Sequence, residues 1–174
     1  MTGSGPRQDL HRPRAQIMHM APELPIILRR AGAADASAIA ELFLASRRDA
    51  LPYLRNAHTD AEVREWVPTV MMKRTDVWVA EIGGAVVGFL SLAGDHVDHL
   101  YLLPGFYGRG IGSLLLDKAK ELSPRRLRLF TFQRNARARA FYEARGFVAI
   151  ELTDGSQNEE HEPDALYEWR RSGA

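Results

Sequence analysis

The chain has no cysteine in 174 residues. Disulfides, a catalytic thiol and cysteine-bound zinc are therefore excluded. No apolar run approaches the ~20 residues needed to span a bilayer. The N-terminus lacks an apolar signal region, so export is not expected and a cytoplasmic location is. Charge of one sign is also missing overall: 23 Lys and Arg stand against 22 Asp and Glu, a net charge of +1. That balance, with no recognised reader motif, argues against nucleic acid as a partner. No internal repeat is present. The length suits one domain with a substantial core.

The balance hides an uneven distribution. Arg125, Arg126, Arg128, Arg134, Arg137, Arg139 and Arg145 share a block in which Glu143 is the lone acid. From Glu151 to Glu168 the chain is acidic, with Glu159, Glu160 and Glu162 at its centre. Each stretch can be a solvated face. Each can also attract a ligand of opposite sign, a phosphate for the arginines and an amine for the acids.

What is present is glycine in an unusual place. Gly108, Gly110 and Gly112 alternate in the run Tyr107-Gly-Arg109-Gly-Ile111-Gly-Ser113, between an apolar strand ending at Leu102–Leu103 and an apolar helix reaching Leu122. Glycine presents its N–H without a Cβ in the way. A helix start adds free N–H groups and roughly half a positive charge. Such a turn suits a phosphate or diphosphate. The lysine-bearing phosphate loop is excluded, because Ser113 and Leu114 follow Gly112. The dinucleotide fingerprint fails as well, since its third glycine would fall on Ser113.

Downstream stands Asn135-Ala-Arg-Ala138-Arg-Ala-Phe141-Tyr142-Glu-Ala-Arg-Gly146-Phe147. With this run the chain resembles the GNAT superfamily, the acetyl-CoA-dependent N-acetyltransferases. Their Gln/Arg-x-x-Gly-x-Gly/Ala signature is matched at Gly110 and Gly112. Their Asn-x-x-Ala-x-x-Phe-Tyr-x-x-x-Gly-Phe signature is matched in full. Tyr107 stands where the family usually has Gln or Arg. The resemblance runs from about Ile26 to about Trp169.

Along the chain, residues 1–21 read as a disordered tail, with Met18 and Met20 as alternative starts, and 22–174 as the domain. Ile26–Arg30 reads as a strand. Asp35 is expected to cap a helix bearing Ile39, Leu42 and Phe43. Thr59 and Glu62 form a capping-box pair that opens a second helix, which Pro68 kinks or shortens. Asp76–Ile82 and Ala85–Leu92 are strands joined by Gly83-Gly84. Asp95–Leu102 follows, then the helix from Gly110 to Leu122 and a strand marked by Leu127, Leu129 and Thr131. Asn135–Arg145 is the last helix, with Gly146 as a left-handed cap. Phe147–Leu152 and Leu166–Arg170 complete the strands, around a polar loop from Thr153 to Pro163. The order predicts an α/β (α+β mixed) domain with helices on both faces of the sheet. The resemblance implies the same: a mostly antiparallel seven-stranded sheet with a splayed central strand pair.

The resemblance also implies a site. Coenzyme A or acetyl-CoA would be held by Leu102, Leu103, the run from Tyr107 to Ser113, Asn135, Ala138, Phe141 and Tyr142. Asn135 also suits a helix N-cap. Tyr142 would be the general acid for the leaving thiolate, since a phenol of pKa about 10 can protonate a thiolate whose acid is near 8.5. A base for the incoming amine is sought on Asp95–Leu102, where His96 and Asp98 are the candidates. Tyr53, His99, Tyr101 and Glu160 are expected at the acceptor. No metal is called for. The expected acceptor is a primary amine on a small molecule or peptide, with no membrane partner and with a homodimer left open. The alternative is a non-catalytic acyl-CoA sensor of the same fold.

Overall fold

The computed structural model describes residues 24–173. The tail expected at residues 1–21 lies outside them. Seven strands form one sheet in the order β1-β2-β3-β4-β5-β7-β6. They are β1 (Ile26–Arg30), β2 (Asp76–Ile82), β3 (Ala85–Ala93), β4 (His96–Leu102), β5 (Arg126–Phe132), β6 (Val148–Leu152) and β7 (Asp164–Arg170). All neighbours run antiparallel except β4 and β5. That parallel pair meets only at His96 and Arg128, and the strands then part.

The helices are α1 (Ala36–Ala50), α2 (Asp60–Trp66), α3 (Met72–Arg74), α4 (Ile111–Leu122) and α5 (Ala136–Glu143). Among the described residues, no helix is long and apolar enough to cross a membrane. The apolar stripe of α1, with Ile39 and Leu42 at most 1% exposed, packs with Val67, Val79 and Phe89 on one face of the sheet. Ile111, Leu115, Leu116 and Ala119 of α4 pack with Ala80, Leu90 and Leu127 on the other. Gly88 makes room both for its cross-strand neighbour and for α4: a Cβ there would lie 2.6 Å from Leu102 Cδ2 on β4 and 3.2 Å from Leu115 Cδ1 on α4. A larger residue there would push layers apart that are packed to crystal-like density.

Local signals explain most boundaries. Gly83 and Gly84 have φ of +58° and +82°, the left-handed pair of a tight hairpin. Thr59 Oγ1 accepts the Glu62 N–H while the Glu62 carboxylate accepts the Thr59 N–H. Pro68 does not stop the second helix but widens it. Residues Val67–Met71 form a π turn in which the Met72 N–H reaches back to the Val67 carbonyl. Asp35 corrects the expectation of a cap. It lies in a 3-10 turn, Ala33–Asp35, and its carboxylate takes the Gly32 N–H and the Arg29 guanidinium. No side chain caps α1.

One irregularity positions the site. Pairing of β3 with β4 steps from Ser91–His99 to Leu92–Val97, so Asp98 is an extra residue on β4. Such a bulge reverses the in–out phase of the strand. Val97 therefore joins the α4 core, whereas Tyr101 and Leu103 pack with the α1–α2 cluster.

Candidate active site

The parting of β4 from β5 opens a cavity of about 360 Å³. Its floor is the facing edges of Val97–Leu102 and Leu129–Phe132. The Leu103 N–H is spent on the Val87 carbonyl of β3 at 2.8 Å. Alternation along a strand then turns the Leu102 N–H toward the cleft, where β5 is too far to accept it.

The glycine turn stands at one mouth. Gly108 and Gly110 have φ of +74° and +80°, and a Cβ on either would meet nothing within 4 Å. Space is thus kept beside backbone that only glycine adopts at ease. Gly110 precedes α4, and no side chain caps its first turn. Gly112 faces inward, its absent Cβ 3.3 Å from the Phe141 ring. These features fit a diphosphate, which accepts uncapped N–H groups and fills open space. Gly108, Gly110, Gly112 and Ser113 line the cavity; Ile111 is fully buried in the core, and Arg109 stacks on Phe106 at 4.9 Å. Leu102 lines it, while Leu103 points into the α1–α2 cluster.

Helix α5 forms the side wall. Asn135 caps it, Oδ1 accepting the Ala138 N–H at 3.1 Å, and Gly146 ends it at φ +85°. Asn135, Ala138, Phe141 and Tyr142 line the cavity. Tyr142 is 8% exposed, and its ring packs against Phe141 and Phe147. Among the described residues no protein group hydrogen-bonds its hydroxyl, and the residue lines the cavity. Burial, with the nearby Tyr101 phenol adding to it, drives the Tyr142 pKa well above the usual phenol value. The group stays protonated across the physiological range. Arg145 ties this wall to the turn: Nη2 donates to Ser113 Oγ at 2.6 Å and Nη1 to the Phe141 carbonyl at 2.8 Å.

The opposite wall comes from the C-terminal end of α1, the residue after it and β4. Ser46, Ala50, Leu51, Asp98, His99 and Tyr101 line it. His99 lies edge-on to Phe43 at 5.6 Å and to Trp66 at 5.4 Å. Burial there pushes its pKa down to about 4, against the opposing pull of Asp98. Burial likewise raises Tyr101, although Arg47 works against it. His96 stands outside the cavity, at the closed end where β4 and β5 pair; its Nδ1 lies 3.0 Å from Asp98 Oδ1. Glu160 also departs from expectation. Its carboxylate takes a hydrogen bond from Arg47 Nη2 at 2.7 Å, so its charge is met within the protein. Tyr53 does not line the cavity; its ring carries Arg134 at 4.1 Å, and its buried hydroxyl has no partner.

A family model described as "Acetyltransferase (GNAT) domain" matches residues 73–149. An uncharacterized N-acetyltransferase of Archaeoglobus fulgidus is 30% identical over 131 residues, 66% of this chain and 88% of that protein. This chain belongs to the GNAT acetyltransferase family. The peptidyl-lysine N-acetyltransferase YiaC of Escherichia coli K12 is 28% identical over 82% of this chain and 96% of its own length. YjaB of Salmonella typhimurium, another peptidyl-lysine N-acetyltransferase, is 35% identical over 55% of this chain, which spans 64% of YjaB. Among solved structures, a GCN5-related N-acetyltransferase from Rhodopseudomonas palustris superposes with TM-score 0.72 at 25% identity, covering 88% of this chain and 99% of that one. A Thermoplasma acidophilum N-acetyltransferase solved with coenzyme A superposes with TM-score 0.66 at 19% identity, covering 85% and 100%.

In this GNAT domain, sequence reasoning missed the contribution of α1 to the cavity and the part played by Arg145. The arginine block did flag Arg145, but nothing local tells which arginine turns inward. Ser46 and Ala50 carry no motif; they reach the cavity because α1 packs against this face of the sheet, with Phe43 beside His99 and Tyr101.

Proposed function

We propose that the protein transfers the acetyl group of acetyl-CoA to a primary amine, with a peptide lysine as the favoured acceptor. Acetyl-CoA supplies an acyl group already activated as a thioester. The observation that carries the reading is the protonated, unpartnered Tyr142 hydroxyl in a cleft that leads from the glycine turn. The turn N–H groups would hold the diphosphate, and the Leu102 N–H would stabilise charge on the carbonyl oxygen, a contribution of about 3–4 kcal/mol for a strong donor of this kind. Tyr142 would donate its proton to the departing sulfur.

The amine must lose a proton first, since a primary amine has a pKa of about 10.4. Asp98 and His99 lie on that side of the cavity and His96 does not. His99 is neutral at pH 7 and can accept a hydrogen bond from the amine. The lysine preference comes from YiaC and YjaB, whose names describe that acceptor. The test is thiol release from acetyl-CoA, scored with a lysine peptide and a panel of small amines. Release with the peptide above all is the expected result. Release with no amine, despite bound acetyl-CoA, would leave only a sensor.

A further inference from the structure

Two arginines line the cleft, and they are committed differently. Arg145 spends its donors on Ser113 and on the Phe141 carbonyl. Arg137, in the first turn of α5, forms no ion pair among the described residues, whereas its neighbours Arg134 and Arg139 reach Glu162 and Glu143. Its guanidinium lies 3.8 Å from the centre of the Tyr107 ring, and both side chains line the cavity. Tyr107 is the residue just before Gly108. Its hydroxyl is buried on the α1 side near Ser46 and Asp49, so the ring offers the cleft a face and no donor.

We propose that Arg137, carried on the Tyr107 ring, is the cation that grips the donor's diphosphate at the glycine turn. This rests on the acetyl-CoA reading and names the residue that completes its phosphate site. A helix start supplies roughly half a positive charge, too little for a diphosphate with one negative charge on the oxygens of each phosphate. A guanidinium adds a full charge and a fork of donors that matches phosphate oxygens. A ring beneath it restricts its orientation at little cost, by cation–π attraction. The guanidinium or amide absent from position 107 thus arrives from α5, and the tyrosine in its place becomes the platform.

The proposal is tested by calorimetric titration of the full chain with coenzyme A and with dephospho-coenzyme A, which keeps the diphosphate but lacks the 3′-phosphate. Arg137→Gln should weaken both by about tenfold, the scale of one charge-assisted contact partly screened by solvent. The KM for acetyl-CoA should rise alongside. Tyr107→Phe should bind like the parent, since the ring remains, while Tyr107→Leu should lose several-fold with Arg137 intact. Equal affinity of Arg137→Gln and parent overturns the proposal. So does a loss seen only with coenzyme A, which would assign Arg137 to the 3′-phosphate. If Tyr107→Leu does not fold, the exposed Arg137→Gln decides alone. A parent protein that binds neither nucleotide would strike the acetyl-CoA reading instead.

Discussion

The two walls of the cleft are built on different principles. The wall made by the glycine turn, α4 and α5 is largely backbone: positive-φ glycines, an uncapped helix start and a free strand edge. The wall facing α1 is side chain, an aromatic enclosure around His99 and a loop held down by Arg47–Glu160 and His58–Glu159. Backbone geometry is common to many sequences, so the first wall can serve a shared donor. Side-chain pairings change with single substitutions, so the second can serve a particular acceptor.

If that division holds, substitutions should affect one ligand and spare the other. The largest effect is expected between the walls. Tyr142→Phe should lower kcat by about a hundredfold or more, the usual range for a lost general acid, with acetyl-CoA affinity retained in titration. Gly110→Val forces a branched side chain to φ +80°. It should weaken acetyl-CoA binding by roughly tenfold and cost about 1–2 kcal/mol in chemical denaturation, leaving the acceptor KM alone. Arg47→Gln strands the Glu160 carboxylate, which is only 15% exposed. The acceptor KM should rise several-fold, by about 1 kcal/mol of lost charge-assisted bonding, with no change in donor affinity. An equal change in both ligands would break the division.

The smallest effect concerns pH. His99 titrates near 4 when folded and near 6.5 when unfolded. Between those values the unfolded chain binds the extra proton, so stability is full above about 6.5 and falls as the pH drops toward 4. A His99→Gln variant should show a shallower loss in urea melts across that window.

Much of this fold is legible in the sequence. Alternation and turn glycines marked all seven strands, and the capping box at Thr59 and Glu62 lies within three residues. The motifs at Gly110 and at Asn135–Phe147 lie on elements that the sequence pattern also predicts. What escaped depends on partners far along the chain. Glu160 read as an available charge because Arg47, 113 residues earlier, is invisible to local inspection. Asp35 read as a cap because Arg29 and Gly32 compete for it only once the chain turns. Pro68 read as kinking or shortening its helix, and α2 does end at Trp66; the π turn that continues it depends on packing that no local pattern shows.

On β3 the pairs Ser91–His99 and Leu92–Val97 are consecutive, so the bulge absorbs Asp98 without changing which face a paired residue takes. A chain lacking Asp98 would keep Val97 and Leu100 under α4 and Tyr101 against α1, but would lose the bend and added twist that a bulge gives a strand. Relatives without this residue should therefore keep the same two linings and differ in how widely β4 swings away from β5.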